Sequence, residues 1–147
     1  MRVAVLNGPN LNLLGAREPE VYGRDTLAEL ERRVGARAAE LGVTLAWRQT
    51  NHEGAFVELV QGLPANADGA LVNAAAFTHT SLAVRDAFLA VRVPFVEVHL
   101  SNIFAREPER RRSLLADLAV GVVAGFGARS YLLGLDALVA YLRERGD

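Results

Sequence analysis

Apolar and polar positions alternate in blocks along the chain, and these blocks predict strands and helices in turn. The apolar run at 3–6 predicts a buried first strand over about 2–6. Val43, Leu45 and Trp47 alternate with Thr44, Ala46 and Arg48, which is typical of a half-buried second strand. Three further apolar runs predict the remaining strands, at 69–72, 95–98 and 119–124.

Helical periodicity fills the intervals between these strands. Thr26 and Glu29 form a capping-box pattern, and apolar residues follow at spacings of three and four until Gly42 ends the helix. Similar but shorter patterns predict helices at 56–63 and at 81–90, where Ser81 is a suitable N-cap. The charged segment 105–115 is also helix-like, with Pro108 near its start, and 132–142 carries the apolar stripe of a last helix.

The alternation of five strands with helices predicts the α/β class. Such a pattern favours a parallel sheet with right-handed crossovers and helices on both faces. We therefore expect a flavodoxin-like three-layer sandwich with a five-stranded parallel sheet in the order 2-1-3-4-5. The 147 residues show no linker or repeat, so we expect one catalytic domain spanning 1–147.

Composition excludes several classes of chemistry. The chain has no Cys and no Lys, and all 16 basic residues are Arg, so thiolate nucleophiles, P-loop lysines and lysine Schiff bases are impossible. The net charge of −1 and the scattered arginines give no case for nucleic acid. No apolar run approaches the roughly 18 residues that span a bilayer, and no signal-peptide pattern opens the chain, so we expect a cytoplasmic protein without membrane contact.

Polar side chains follow the first, third and fourth predicted strands. Ligands of open parallel sheets bind outside the carboxyl ends of the strands, and the proposed order makes these three strands neighbours. We therefore predict an active-site rim at this edge of the sheet, formed by Asn7, Asn10, Asn73, His79, His99, Ser101 and Arg106.

Three other uses of this architecture fit the residues less well. A phospho-receiver needs acidic residues after strands one and three, where this chain has Asn7 and Asn73. A dinucleotide or flavin site requires a glycine-rich or Ser/Thr-rich turn leading directly into a helix, whereas the first loop is long. A zinc hydrolase remains an alternative through His52, His79, His99 and a carboxylate, although their spacing differs from the HExxH pattern.

Five motifs extend over nearly the full length of the chain: NGPNLNLLGAREPEVYG at 7–23, QTNHEG at 49–54, THTS at 78–81 with Arg85 and Asp86, EVHLSN at 97–102 and AREPERRRS at 105–113. In this order and spacing they resemble one family, the type II 3-dehydroquinases. The resemblance implies removal of water from 3-dehydroquinate to give 3-dehydroshikimate in the shikimate pathway. It also implies an anti elimination through an enolate, with neither cofactor nor metal.

The resemblance assigns the proton transfers to five residues. Tyr22 is the expected base, and Arg17 is the cation that would lower the phenol pKa from about 10. Asn10 would stabilise the enolate, directly or through water. His99 would be the general acid, with Glu97 orienting its ring.

Substrate binding and assembly are also implied by the resemblance. The substrate carboxylate and hydroxyls would bind to Asn73, His79, Leu100, Ser101 and Arg110, while Asp86 would reach the site of a neighbouring subunit. The expected homo-oligomer is a trimer that assembles into a dodecamer. Arg106 matches a residue beside a mobile lid at about 15–23.

The chain departs from the family pattern at a few positions. Ala74, Ala75 and Ala76 follow the strand-three Asn, where the family usually has Gly or Pro-Gly, so we expect a narrower site or a restricted turn. Phe104 replaces a frequent His, and SLLAD at 113–117 replaces the usual segment before strand five. A non-enzymatic module that binds the ligand without turnover is the second hypothesis.

Overall fold

A computed structural model of the protein describes residues 1–16, 18–22 and 25–146. Its sheet has the strand order β2-β1-β3-β4-β5, and every pairing is parallel. The strands are β1 (Arg2–Asn7), β2 (Thr44–Gln49), β3 (Gly69–Asn73), β4 (Phe95–His99) and β5 (Gly121–Ala124). The predicted flavodoxin-like order is confirmed, and it makes β1, β3 and β4 consecutive in the sheet.

Seven helical segments connect and cover the strands within the described ranges. They are α1 (Pro19–Tyr22), α2 (Leu27–Leu41), α3 (Glu53–Gln61), α4 (Leu63–Asn66), α5 (Phe77–Thr80), α6 (Leu82–Val91) and α7 (Ala128–Gly146). Both predicted N-caps are confirmed, because Thr26 Oγ1 accepts the N–H of Glu29 and Ser81 Oγ accepts the N–H of Val84. None of these helices is long and apolar enough to cross a bilayer.

Two apolar layers pack on opposite faces of the sheet. Val3 and Val5 of β1 lie in the layer that contains α2 and α7, whereas Ala4 and Leu6 lie in the layer of α3 and α6. The alternation follows from the two-residue repeat of a strand, and burial on both faces explains why β1 is almost continuously apolar.

Gly134 lets α7 pack directly against the centre of the sheet. A Cβ added there would lie 2.6 Å from a Val98 methyl and 2.8 Å from a Leu71 methyl. This close packing brings Tyr131, one turn earlier in α7, beneath the carboxyl ends of β1 and β3, where its hydroxyl bonds to Asn7.

Two sequence predictions about the C-terminal third are wrong. Segment 105–115 forms no α-helix; the 3₁₀ turn Ile103–Ala105 ends at its first residue, and the 3₁₀ turn Pro108–Arg110 lies within it. Other hydrogen bonds replace the helical ones there: Leu114 N–H donates to Thr78 C=O in a distant part of the chain, and Arg111 Nε donates to Arg106 C=O nearby. Strand β5 is shorter than 119–124 and only half-buried, because it pairs with β4 alone at the sheet edge.

Candidate active site

A cavity opens at the carboxyl ends of β1, β3 and β4. Its polar lining comes from Asn10, Asn73, His79, His99, Ser101, Arg106 and Arg110, and its apolar lining includes Leu11, Leu14, Leu100 and Ile103. The structure therefore brings six of the seven predicted rim residues together at this edge, and Asn7 is the exception. Asn7 is fully buried and absent from the lining, because its side chain bonds inward to β2 and α7.

The β1 loop is held against the β2 and β3 loops. Gly8 N–H donates to Asn73 C=O at 2.8 Å, and an added Gly8 Cβ would lie only 2.3 Å from the Ala74 carbonyl oxygen. Asn10 has a left-handed backbone with φ of 68°, and Asn51 Oδ1 accepts its N–H at 2.9 Å. These contacts fix the position from which Asn10 reaches the cavity.

The alanines after β3 keep a turn that would suit glycine. Ala75 has φ of 51°, in the left-handed region that an L side chain adopts at a cost of about 1 kcal/mol. Asn73 Oδ1 accepts the Ala75 N–H at 3.1 Å, which supports this conformation. Ala75 and Ala76 both line the cavity, so their methyl groups occupy space in the site, as expected from the sequence.

His99 and Glu97 form a buried pair behind the cavity. Glu97 is 0% exposed, and its Oε2 lies 2.6 Å from His99 Nε2. Ser113 Oγ accepts two main-chain N–H groups, those of Leu115 and Ala116, so its only proton is donated to Glu97 Oε1 at 2.7 Å. Both carboxylate oxygens therefore have fixed partners, and the His99 ring is held at the cavity wall.

His79 has its tautomer set by the main chain. Its Nδ1 lies 2.7 Å from Arg112 C=O, and a carbonyl only accepts, so Nδ1 carries the proton. Burial lowers the pKa of this imidazole below its ordinary value of 6.5, although the Arg112 hydrogen bond acts in the opposite direction. Neutral His79 therefore has Nε2 available as a hydrogen-bond acceptor. The ring lies beside that of His99, with 6.5 Å between the two ring centroids.

Asn73 is the other buried polar group of the cavity floor. Its Nδ2 donates to the Tyr131 hydroxyl at 3.0 Å, and that hydroxyl donates to Asn7 Oδ1 at 2.6 Å. Burial raises the pKa of the Tyr131 phenol above its usual range, so the hydroxyl keeps its proton.

Two arginines give the cavity a positive end. Arg106 Nη1 is 3.4 Å from Ser101 Oγ, and Arg106 Nε is 3.8 Å from Glu107 Oε2. Arg110 also pairs with Glu107, so two guanidinium groups share one carboxylate. No acidic residue is among the described residues that line the cavity, which favours an anionic ligand.

Several predicted site residues converge on the cavity in one chain: Asn10, Asn73, His79, His99, Leu100, Ser101 and Arg110. Glu97 lies directly behind His99. Asp86 lies on the exposed side of α6 and does not line the cavity of its own chain. Arg17 lies outside the described residues, and Tyr22 is described only as the last residue of α1.

Sequence reasoning missed four supporting residues. Ser113 bonds to Glu97, and Tyr131 bonds to Asn73. The β1 loop is held by two further residues, because Asn51 accepts the N–H of Asn10 and Gln49 donates to the C=O of Gly8. Three of them, Ser113, Asn51 and Gln49, fall inside the motifs quoted above, and this position was the signal that could have identified them. No such signal marks Tyr131 in the sequence, since an aromatic residue in the apolar stripe of a helix ordinarily belongs to the core.

The described residues also bear on the zinc alternative. Across 1–16, 18–22 and 25–146, no three His, Asp or Glu side chains lie close enough together to hold a metal ion. The cavity has two histidines, and one ring nitrogen of each is already engaged. His99 Nε2 bonds to Glu97, and His79 Nδ1 bonds to Arg112 C=O.

Comparison with known proteins decides the family. A family model described as "Dehydroquinase class II" matches residues 1–139. The chain belongs to the class II dehydroquinases. A protein from Synechococcus named "3-dehydroquinate dehydratase" is 57% identical over 143 residues, with 97% of each chain covered. One of the same name from Gemmatimonas aurantiaca is 54% identical, with 97% of this chain and 93% of that protein covered.

Solved structures of other class II dehydroquinases have the same fold. The type II dehydroquinase from Butyrivibrio crossotus has a TM-score of 0.91 at 36% identity, covering 94% of this chain and 97% of that one. The one from Propionibacterium acnes has a TM-score of 0.89 at 37% identity, covering 95% and 96%. The family predicted from the motifs is thereby confirmed.

Proposed function

We propose that this protein is a type II 3-dehydroquinate dehydratase, a hydro-lyase that converts 3-dehydroquinate to 3-dehydroshikimate in the shikimate pathway. The observation that carries the proposal is the buried Glu97–His99 pair at the wall of an anion-favouring cavity. Family membership supplies the reaction, and the pair supplies a histidine oriented for proton transfer at that place.

The reaction requires a base, a group that stabilises the enolate, and an acid for the departing hydroxyl. We assign Tyr22 as the base that removes the proton next to the ketone, with Arg17 lowering the pKa of its phenol. Asn10 stabilises the enolate oxygen, directly or through water. His99 then protonates the leaving hydroxyl, and the elimination is anti because acid and base act from opposite faces of the ring.

The geometry of His99 supports the acid role. Glu97 Oε2 binds Nε2, and Ser113 prevents the carboxylate from turning away. A carboxylate behind the ring fixes the orientation of the imidazole, and the other ring nitrogen is left for the substrate. No imine can form on a side chain, because the chain has no Lys.

The cavity also has suitable groups for binding the substrate. We assign the carboxylate to the turn at Leu100 and Ser101, close to the two arginines, because cations and main-chain N–H groups both favour an anion. Asn73 and His79 bind ring hydroxyls, and Arg110 binds at the carboxylate side. Asp86 acts across a subunit boundary, within trimers that assemble into a dodecamer in the cytoplasm.

The test is conversion of 3-dehydroquinate, followed by the ultraviolet absorbance of the conjugated product. The wild type should turn over in the presence of a chelator, and Tyr22→Phe should lose at least about a hundredfold in kcat, the usual contribution of a general base. Tyr141→Phe makes the same change on the far end of α7 and should behave as wild type. A folded wild type that binds the acid without product would favour the non-enzymatic binding module instead.

A further inference from the structure

The amide of Asn73 is oriented by a series of hydrogen bonds that begins beneath the cavity. Arg48 C=O can only accept, so Asn7 turns its Nδ2 towards it, at 3.0 Å. Asn7 therefore presents Oδ1 to the Tyr131 hydroxyl, which must donate, at 2.6 Å. The same hydroxyl is left to accept from Asn73 Nδ2 at 3.0 Å.

The other end of the series is also anchored in the main chain. Ala75 N–H donates to Asn73 Oδ1 at 3.1 Å. If the Asn73 amide rotated by half a turn, its oxygen would face the Tyr131 hydroxyl, which already donates its proton to Asn7. Its NH₂ group would face the Ala75 N–H, so that two donors would meet. Both hydrogen bonds would be lost in a site where Asn73 is only 4% exposed, so a single orientation is fixed.

We propose that Tyr131 is a positioning residue for substrate binding: its hydroxyl holds the Asn73 amide so that the second N–H of Nδ2 points to an oxygen of the substrate. Tyr131 is 0% exposed and does not line the cavity, so it acts only through Asn73. The inference rests on the proposed function, because it concerns how the same cavity recognises a hydroxyl-bearing acid. Burial keeps the Tyr131 phenol protonated by raising its pKa, so the series persists across the working pH range.

The first test is Tyr131→Phe, which keeps the ring that packs 5.9 Å from Trp47 and removes only the hydroxyl. Asn73 Nδ2 then loses its acceptor, and the Ala75 N–H alone is left to hold the amide. KM should rise about fivefold, which corresponds to one ordinary hydrogen bond, while kcat stays within about twofold. Tyr141→Phe is the matched control on the same helix and should leave both constants unchanged.

The second test separates positioning from a purely structural role. If Tyr131 acts through Asn73, adding Tyr131→Phe to Asn73→Ala should raise KM no further than Asn73→Ala alone. A structural role would raise KM by the same factor in both backgrounds, or would lower the amount of folded enzyme without changing KM. Either of those results would overturn the proposal.

Two further outcomes are distinguishable. An active wild type with unchanged KM in folded Tyr131→Phe would refute the positioning role alone, whereas an inactive wild type would refute the proposed function and this inference with it. Should Tyr131→Phe fail to fold, Asn7→Ala tests the same series, because it removes the acceptor that fixes the direction of the Tyr131 hydroxyl. It should also raise KM, and an unchanged KM there would contradict the proposal.

Discussion

Replacing Ser113 by Ala would remove the group that fixes the buried carboxylate of the candidate active site. Ser113 Oγ donates to Glu97 Oε1 at 2.7 Å and accepts the N–H groups of Leu115 and Ala116. Since Glu97 is 0% exposed, no water replaces the lost donor without rearrangement. The variant therefore tests whether one hydroxyl both stabilises the fold and orients His99.

The magnitude follows from the bonds that are lost. A hydrogen bond to a buried charged group contributes about 1.5–3 kcal/mol, and the N-cap-like bonds to the two N–H groups add about 1 kcal/mol. We expect Ser113→Ala to reduce the free energy of unfolding by about 3 kcal/mol, which lowers Tm by about 10 °C in a protein of this size. Loss of the carboxylate's orientation should also lower kcat by about tenfold.

The assay combines urea unfolding with steady-state kinetics on 3-dehydroquinate. Ser81→Ala is the matched control, because Ser81 Oγ also accepts a main-chain N–H, that of Val84, but does not contact Glu97. It should cost only about 1 kcal/mol and leave kcat unchanged. The reasoning would be refuted if Ser113→Ala were no less stable than Ser81→Ala and turned over as wild type.

Three further predictions follow from the same contacts. Gly8→Ala should cost about 2 kcal/mol or more in urea unfolding, because its Cβ would lie 2.3 Å from the Ala74 oxygen and force β1 and β3 apart; wild-type stability would contradict this packing. In the folded protein, His79 should titrate by NMR with a pKa below 6.5, which is the ordinary value that it has in the unfolded chain. As pH falls below 6.5, the unfolded chain therefore binds more protons than the folded protein. The contribution of neutral His79 to stability is then fully present above pH 6.5 and is lost as pH falls through the folded-state pKa. The variant His79→Gln should lose less stability over that pH range, and an NMR titration midpoint at or above 6.5 would contradict the prediction. Borohydride added with substrate should not inactivate the enzyme, since the chain has no Lys, and substrate-dependent inactivation would rule out the proposed mechanism.

Much of the fold follows from local sequence patterns. The apolar run of β1, the alternating sequence of β2, the cap at Thr26 and the helix end at Gly42 are properties of a few neighbouring residues, and the strands and the helix that they predict are observed. The strand order also agrees, because right-handed crossovers leave few topologies for five alternating strands. Local patterns failed at 105–115, where contacts with distant residues replace helical hydrogen bonds.

The candidate site divides in the same way. The motifs predicted His99, Glu97, Asn10, Asn73 and His79 as candidate site residues, because residue types and spacing can be read from a sequence. It placed Asn7 on the rim with them, whereas the side chain lies below the cavity and bonds to Tyr131.

What the sequence by itself determined is the sheet, its order and the groups available for chemistry. Only the tertiary structure decided which atoms are donors and which are acceptors. Ser113 meets Glu97 from 16 residues away, and Tyr131 meets Asn7 from 124 residues away. The reason is physical: a hydrogen bond depends on distance and direction to within fractions of an ångström, and helix packing across the sheet sets both.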